Sequence, residues 1–321
     1  MRKVTILFNP NSGRGRREAE LEKAVGILQS AGIRTELTVC RSSQEATQHA
    51  HCAVAAGSDT VFACGGDGTI HGVIQGLAGT NVALAILPLG TANALAHDLA
   101  LPLCPSDAAR AILKSQVWRI PLGRLEYQDF SGQPAACYFT VAAGIGVDAH
   151  LFYKLNGEFK KRSGMAAYYL KAWQLWATHH MRKFEAEYSN GSGHTQRANL
   201  TELLAVRIRF FGGVLRELVP GASLRSSELR AVMCRTDSRN AYLQYVAGAL
   251  LGRRWKIDGI DLVSCSEIMC QLPEGARDRV YVEADGELLG RLPARMTVVP
   301  DALSVCVPAN GSGTATASSQ S

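Results

Sequence analysis

The chain has 321 residues, 47% of them hydrophobic and 19% charged, and Lys plus Arg exceed Asp plus Glu by 34 to 28. That length predicts about two domains with cores large enough to need no staples, and the composition excludes a disordered chain and a coiled coil. A net charge of +6 is too diffuse for a nucleic-acid binder, so no nucleic acid is expected; a phosphate-bearing ligand or an anionic membrane surface suits it better.

The first 115 residues alternate strand and helix. Arg2–Phe8 reads as a short apolar strand. Arg17–Gln29 carries Leu21, Val25 and Leu28 at helical spacing and closes at Gly32. Arg34–Cys40 is the second strand, Gln44–Gly57 a helix, Thr60–Cys64 the third strand, Ile70–Leu77 a helix, Val82–Leu87 the fourth strand, and Ala92–Leu99 opens another helix. Strands separated by helices predict a parallel sheet covered on both faces.

From about Val117 the strands follow one another. Turn signals stand at Gly132-Gln133-Pro134, Asn190-Gly191-Ser192-Gly193 and Asp285-Gly286. Helical patterns interrupt near Gly164–Met181 and Asn240–Leu251, and Ala302–Val307 is the last strand. The predicted domains are 1–123, an α/β nucleotide-binding domain, and 124–308, a mainly antiparallel β domain whose last strand is free to return to the first. Residues 309–321 are Gly, Ser, Thr and Ala in the main, too polar to fold.

No run supplies the ~18 clean apolar residues of a spanning helix; Asn81–Leu103 is broken by Pro88, Gly90, Asn93, His97, Asp98 and Pro102. The start, MRKVTILFNPNSG, is too short in apolar residues for a signal peptide. The nine cysteines include no C-x-x-C pair, which reads as reduced thiols in a cytoplasmic protein. His49, His51, His179 and His180 lack the spacing of a zinc site.

Three strands of the first half end in small-residue loops that open helices. They are Asn9-Pro10-Asn11-Ser12-Gly13-Arg14-Gly15-Arg16, Gly65-Gly66-Asp67-Gly68-Thr69 and Leu89-Gly90-Thr91-Ala92-Asn93. In a parallel sheet such loops gather at the carboxyl ends of the strands, where ligands bind. Glycine lets backbone N–H groups approach a phosphate, and the next helix adds its positive end. Ser12, Thr69, Thr91 and Asn93 add hydroxyl or amide donors. The loops match neither the Walker A nor the dinucleotide fingerprint. Asp67 stands out, because a carboxylate repels a phosphate unless a divalent cation lies between them. Its other reading is a cap for the helix at Ile70, a task Thr69 is nearer to perform. In the second half, Glu283-Ala284-Asp285-Gly286-Glu287 lies on a hairpin after the strand Arg279–Val282, and a carboxylate held there is placed to take a proton from a hydroxyl.

Taken in order, N-P-x-S-G, G-G-D-G-T and P-L-G-T-x-N resemble the diacylglycerol kinase catalytic domain family, which includes sphingosine kinases and bacterial lipid kinases. Val141–Ala149, Phe211-Gly212-Gly213, Pro220-Gly221-Ala222 and the D-G-E ending continue the likeness over about residues 3–308. The resemblance implies an N-terminal domain like those of NAD kinase and phosphofructokinase, followed by a C-terminal β-sandwich. It implies ATP-dependent phosphorylation of a lipid hydroxyl, with ATP between the domains. Asn9, Pro10, Ser12, Gly13, Gly15, Gly65, Gly66, Gly68 and Thr69 would hold its phosphates, and Thr91 and Asn93 would complete the nucleotide site. Asp67 would sit by the phosphates and Mg²⁺, as metal ligand and catalytic group. Glu287 would accept the proton, with Asp285 beside it as support or understudy.

The sequence departs from that pattern at several positions. His71 replaces the usual Asn, Ala92 an often-found Gly, and Cys40 a Thr that touches the nucleotide. Bacterial members with a second, structural Mg²⁺ carry Asp-Gly where this chain has Ser226-Ser227, with Glu228 the nearest acid. Arg207 and Arg209 read as a solvated strand face or as binders of an anionic substrate group.

Between Leu151 and Phe184 stand seven Lys or Arg against Glu158 alone, with Tyr169, Trp173 and Trp176 on one helical face. This suits peripheral contact with an anionic membrane or, equally, packing on the β domain. A homodimer is left open. The rival functions are a kinase of a soluble substrate, such as NAD, and a nucleotide- or lipid-binding regulator without catalysis.

Overall fold

The computed structural model describes residues 1–13, 17–146, 181–189, 195–211, 217–253, 255–276 and 278–309. The predicted Gly15, the helix Gly164–Met181, the basic aromatic stretch after Leu151, the Asn190–Gly193 turn and the tail from residue 310 lie outside them. The chain is a mixed α/β protein, parallel in its N-terminal part and antiparallel in its C-terminal part. It divides into two compact units, Met1–Leu122 with Phe210–Gly213 and Pro300–Ser321, and Gly123–Arg209 with Val214–Val299.

The first unit holds β1 (Lys3–Phe8), α1 (Arg17–Ser30), β2 (Arg34–Val39), α2 (Ser43–Ala55), β3 (Thr60–Gly65), α3 (Asp67–Leu77), β4 (Ala83–Pro88), α4 (Ala94–Asp98) and α5 (Pro105–Leu113). Strands β2, β1, β3 and β4 pair in parallel in that spatial order. Strands β3 and β4 are buried along their whole length, as continuous apolar strands of a doubly covered sheet should be. Phe62, Leu84, Ile86 and Leu87 are wholly buried, each stabilising the unit by about 1.5–3 kcal/mol. Crossovers in such sheets are right-handed. The chain moves one way from β1 to β2 and the other way from β2 to β3 and β4. This puts α1 on the face opposite α2 and α3. Helices α2 and α3 pack closely because α3 offers glycines: a Cβ on Gly72 would lie 2.2 Å from the Ser43 carbonyl oxygen, and one on Gly76 2.6 Å from the Ala50 Cβ. The strand order reverses between β1 and β3, which makes the crevice at their carboxyl ends the switch point where ligands bind in such sheets.

The second unit is built on β7 (Ala142–Gly146), β10 (Glu202–Val206), β11 (Leu229–Cys234), β12 (Ile260–Cys265) and β14 (Tyr281–Ala284). These are antiparallel neighbours in the order β12-β11-β10-β7-β14. Also here are β6 (Pro134–Phe139), β8 (Phe184–Ser189), β9 (Thr195–Leu200), β13 (Glu267–Gln271) and helix α6 (Arg239–Leu250). The core gathers Leu125, Phe139, Phe184, Leu200, Met233, Ile268 and Met296. Two long strands, β5 (Ser115–Gln128) and β15 (Glu287–Pro308), belong partly to each unit. In the first unit the end of β15 lies parallel to β4, with Ser304 opposite Ala83.

Candidate functional site

The loops after β1, β3 and β4 meet in the first unit at the switch point. Leaving β1, Asn9 donates its backbone N–H to the Cys64 carbonyl at 2.9 Å. Its side chain accepts from the Asn11 N–H at 2.9 Å and donates to Thr69 Oγ1 at 3.0 Å. Ser12 Oγ lies 3.5 Å from the same Thr69 oxygen, and Gly13 takes a left-handed φ of 69°. Asn9 thus ties the first loop to the second through a threonine that is 3% exposed.

The glycines of the second and third loops are there for close approach. A Cβ on Gly65 would lie 2.4 Å from Thr69 Oγ1, and one on Gly90 would lie 2.6 Å from the Gly66 Cα. Asn93, left-handed at φ 50°, closes the third loop on itself. Its Oδ1 accepts from the Gly90 N–H and its Nδ2 donates to the Gly90 carbonyl, both at 2.9 Å. The predicted helix Ala92–Leu99 accordingly begins only at Ala94.

Asp67 joins the second loop to the third. Its Oδ1 accepts from the Ala94 N–H at 2.8 Å and its Oδ2 from the Asn93 N–H at 3.0 Å. This sets aside the alternative reading of Asp67 as the cap of its own helix. Helix α3 starts at Asp67 itself, not at Ile70; its N-cap is Gly66, and no side chain caps it. The Asp67 carboxylate instead covers the first N–H groups of α4, far along the chain, where a negative charge is favourable. Of the other predicted residues, Pro10 and Gly68 are partly exposed and Thr91 is exposed. Cys40 is wholly buried and its N–H is held by the Phe8 carbonyl. Burial pushes its thiol up to about 11, and the residue offers a ligand no surface. His71 is buried as well, with its carbonyl accepting from the Gln75 side chain.

In the second unit β14 turns into β15 through Asp285 and Gly286, left-handed at φ 49° and 82°, the geometry of a tight hairpin turn. The Asp285 carboxylate is anchored rather than presented. Oδ1 accepts from the N–H groups of Val141 and Ala142 at 2.8 and 3.2 Å, and Oδ2 from the N–H and hydroxyl of Thr140 at 3.0 and 3.3 Å. Glu283 is buried beside it. One of its oxygens accepts from the Gly286 N–H at 3.0 Å, and the other lies where a Cβ on Gly144 would come within 2.8 Å. Glu287, the first residue of β15, is exposed. Of the three acids, Glu287 is the one set outward on a fixed turn.

Arg207 reads in the sequence as a solvated strand residue or as a binder of an anionic substrate group. It is 1% exposed, which corrects the solvated-face reading. Its guanidinium donates to the carbonyls of Leu224 and Ser226 at 3.2 and 3.0 Å, and burial lowers its pKa to about 10. Its backbone N–H donates to the Val141 carbonyl at 2.9 Å, on the peptide whose N–H holds Asp285. The same loop gives its Pro220 carbonyl to the Arg230 side chain and its Leu218 carbonyl to the Tyr245 hydroxyl. Arg209, by contrast, is half exposed and lies 3.7 Å from Glu217.

No group of three or more His, Cys, Asp or Glu fit to hold a metal occurs among the described residues. Mg²⁺ does not require one, since it is bound through one or two carboxylates together with phosphates and water. Asp67, a partly exposed carboxylate among the three loops, is a donor of the kind that pattern uses.

Comparison with known proteins bears on what this arrangement serves. Residues 3–125 match the model of the diacylglycerol kinase catalytic domain, and residues 140–307 match that of the YegS C-terminal NAD kinase beta sandwich-like domain. A diacylglycerol kinase of Mycobacterium tuberculosis is 29% identical over 310 residues, covering 96% of both chains. One from Bacillus subtilis is 25% identical over 311 residues, covering 96% of this chain and 97% of its own. Among solved structures, a diacylglycerol kinase from Bacillus anthracis superposes with a TM-score of 0.69 at 19% identity, over 96% of this chain and 97% of that one. A further crystal structure from that organism reaches a TM-score of 0.76 at 22% identity, covering 96% of each. The structural likeness speaks for the fold, and the two domain models, which divide most of the sequence between them, speak for descent. With its glycine loops, its Asp67 tie and its D-G-E hairpin, the chain belongs to the diacylglycerol kinase catalytic-domain family.

Proposed function

We propose that this phosphotransferase moves the γ-phosphoryl group of ATP to the hydroxyl of a lipid such as diacylglycerol, with Mg²⁺. The observation that carries this reading is the knot of three loops at the switch point, where Asn9, Thr69 and Asp67 bind loop to loop and leave Ser12 and Thr91 partly or fully exposed. Phosphoryl transfer asks little covalent chemistry of a protein; positioning and charge neutralisation suffice. In this reading the loop N–H groups and hydroxyls hold the ATP phosphates. Asp67 would ligate Mg²⁺, which neutralises phosphate charge when bound. Glu287 accepts the proton of the attacking hydroxyl. Asp285 holds the turn that carries Glu287, a positioning role supported by its four accepted hydrogen bonds.

The Arg207 guanidinium supplies a fixed positive charge to loop carbonyls at Leu224 and Ser226. That is the stretch where the family resemblance allows a second cation, so we assign the loop's support to Arg207 and invoke no second ion. No helix among the described residues is long and apolar enough to cross a membrane. The enzyme we infer is cytoplasmic and meets its lipid peripherally. Phosphate transfer from γ-labelled ATP, offered extracted lipids in one arm and NAD in the other, tests the acceptor. Label in NAD alone replaces lipid with a soluble substrate. ATP-dependent thermal stabilisation with no transfer to either describes a regulator.

A further inference from the structure

Strand β2 ends the sheet of the first unit: β1 flanks one side of it, and among the described residues no strand flanks the other. It runs from Arg34 to Val39 in unbroken register with β1, without a bulge, a proline or a lysine. Those are devices by which native proteins keep an end strand from pairing further. The Arg34 N–H donates to the Arg2 carbonyl at 3.1 Å, and the Cys40 N–H to the Phe8 carbonyl at 2.8 Å. Backbone groups alternate in direction along a strand, so the even-numbered residues point theirs at β1, and Thr35, Leu37 and Val39 point theirs away from it. The side chains of these three share one face, on which the Gln29 side chain of α1 donates to Thr35 Oγ1 at 3.0 Å. Leu37 and Val39 are nonetheless 51% and 40% exposed. Arg34 and Glu36 lie on the opposite face and are exposed as well. From Arg34 to Glu45 the chain carries two basic residues, Arg34 and Arg41, and two acidic ones, Glu36 and Glu45, so the edge repels neither sign.

A second copy of the chain suits this edge. A two-fold contact sets β2 against itself, antiparallel. Residues that exchange hydrogen bonds must both point outward, which leaves few registers. Centred on Glu36, the contact would set two Glu36 carboxylates directly opposite, and like charges so placed destabilise a strand pair. Centred on Thr35 or Thr38, it would leave Val39 or Thr35 facing residues outside the partner strand. Centred on Leu37, it pairs Thr35 with Val39 of the second copy and Leu37 with its own counterpart, through about six backbone hydrogen bonds. Leu37 and Val39 of both copies then meet on one face. On the other face Glu36 meets Thr38 and Arg34 meets Cys40, so no like charges stand opposite. We propose that β2 pairs with β2 of a second copy, antiparallel about Leu37, and joins two first-unit sheets into one. This contact is independent of the phosphotransfer reading.

Sedimentation equilibrium of the full chain tests the proposal. A contact of this size lies at the small end of specific interfaces, so a dimer is expected at about 100 µM protein. Leu37→Pro removes an outward N–H and spares the β1 ladder, a change that an edge strand tolerates. It should weaken the dimer by about a hundredfold. Leu37→Lys/Val39→Lys, which gathers like charges at the contact, should do the same. Both variants should keep the wild-type circular dichroism. Glu36→Cys/Thr38→Cys puts thiols at facing positions outside the hydrogen-bonded pairs, where Cβ atoms come closest. On oxidation it should run as a covalent dimer on a non-reducing gel, beyond whatever the exposed Cys52 and Cys104 give the wild type. That cross-link reads the register even where an edge variant fails to fold. A wild type that stays monomeric at about 100 µM overturns the proposal. So does a dimer that neither edge variant weakens, or a species that grows past the dimer, as an open contact would. A double-cysteine variant that cross-links no more than the wild type overturns it too.

Discussion

Each unit uses an aspartate to fix backbone, and the two differ in what they fix. In the first unit Asp67 accepts from the Asn93 and Ala94 N–H groups and binds the third loop to the second. In the second unit Asp285 accepts four hydrogen bonds and sets a turn whose next acid, Glu287, stands exposed. The comparison separates two jobs that a motif merges. In the proposed reading Asp67 both positions a loop and would ligate Mg²⁺. Asp285 there holds a turn, and the exposed acid beside it, Glu287, takes the proton.

The largest expected effect comes from Glu287→Gln, which keeps the shape and removes the base. Turnover should fall by about 10²–10⁴-fold with Tm unchanged, read by steady-state kinetics beside a thermal melt. Near-wild-type kcat would strip Glu287 of its role and blur the contrast with Asp285.

Asp67→Ala should reduce turnover severely as well. It should also cost about 1 kcal/mol of stability, because the first N–H groups of α4 lose their acceptor. Denaturant melts and Mg²⁺ titrations of activity measure the two parts separately. Asp285→Ala should reverse the balance. Stability should drop by about 2–4 kcal/mol, since backbone N–H groups at Val141 and Ala142 lose a charged acceptor, and activity should fall with the hairpin's order. A stable Asp285→Ala protein with no turnover would make Asp285 a direct participant and end the distinction.

Arg207→Met extends the contrast to a cation. Removing the guanidinium leaves the Leu224 and Ser226 carbonyls without that donor. About 2–3 kcal/mol should be lost, with stability in chelator the same as in Mg²⁺. Restoration of the wild-type melt by Mg²⁺ would show that the loop takes an ion after all. The smallest effect is chemical. Of the nine cysteines, all free, Cys52 and Cys104 alone are exposed, and both lie in the first unit. A thiol reagent should label two residues in the native protein and the rest only on unfolding. Labelling of a second-unit cysteine such as Cys234 or Cys270 would show that its antiparallel core opens more readily than its burial implies.

The sequence was most readable where local chemistry decides the structure. Apolar strands closed by glycine loops announced the parallel sheet, and Asp285-Gly286 announced the hairpin because few residues accept left-handed backbone. It was least readable where a side chain serves a distant backbone. Asp67 was weighed as the cap of its own helix, yet the N–H groups it holds are 26 and 27 residues away. Arg207 looked like a solvated strand residue because nothing near it in sequence announces the carbonyls that bury it.

The central claim is tested most directly by following label from γ-phosphate-labelled ATP into diacylglycerol, presented in vesicles with Mg²⁺, for the wild type and Glu287→Gln side by side. The account predicts labelled phosphatidic acid from the wild type, and loss of nearly all of it in Glu287→Gln at an unchanged melting temperature. Equal transfer by both proteins, or transfer to NAD and none to lipid, would contradict it.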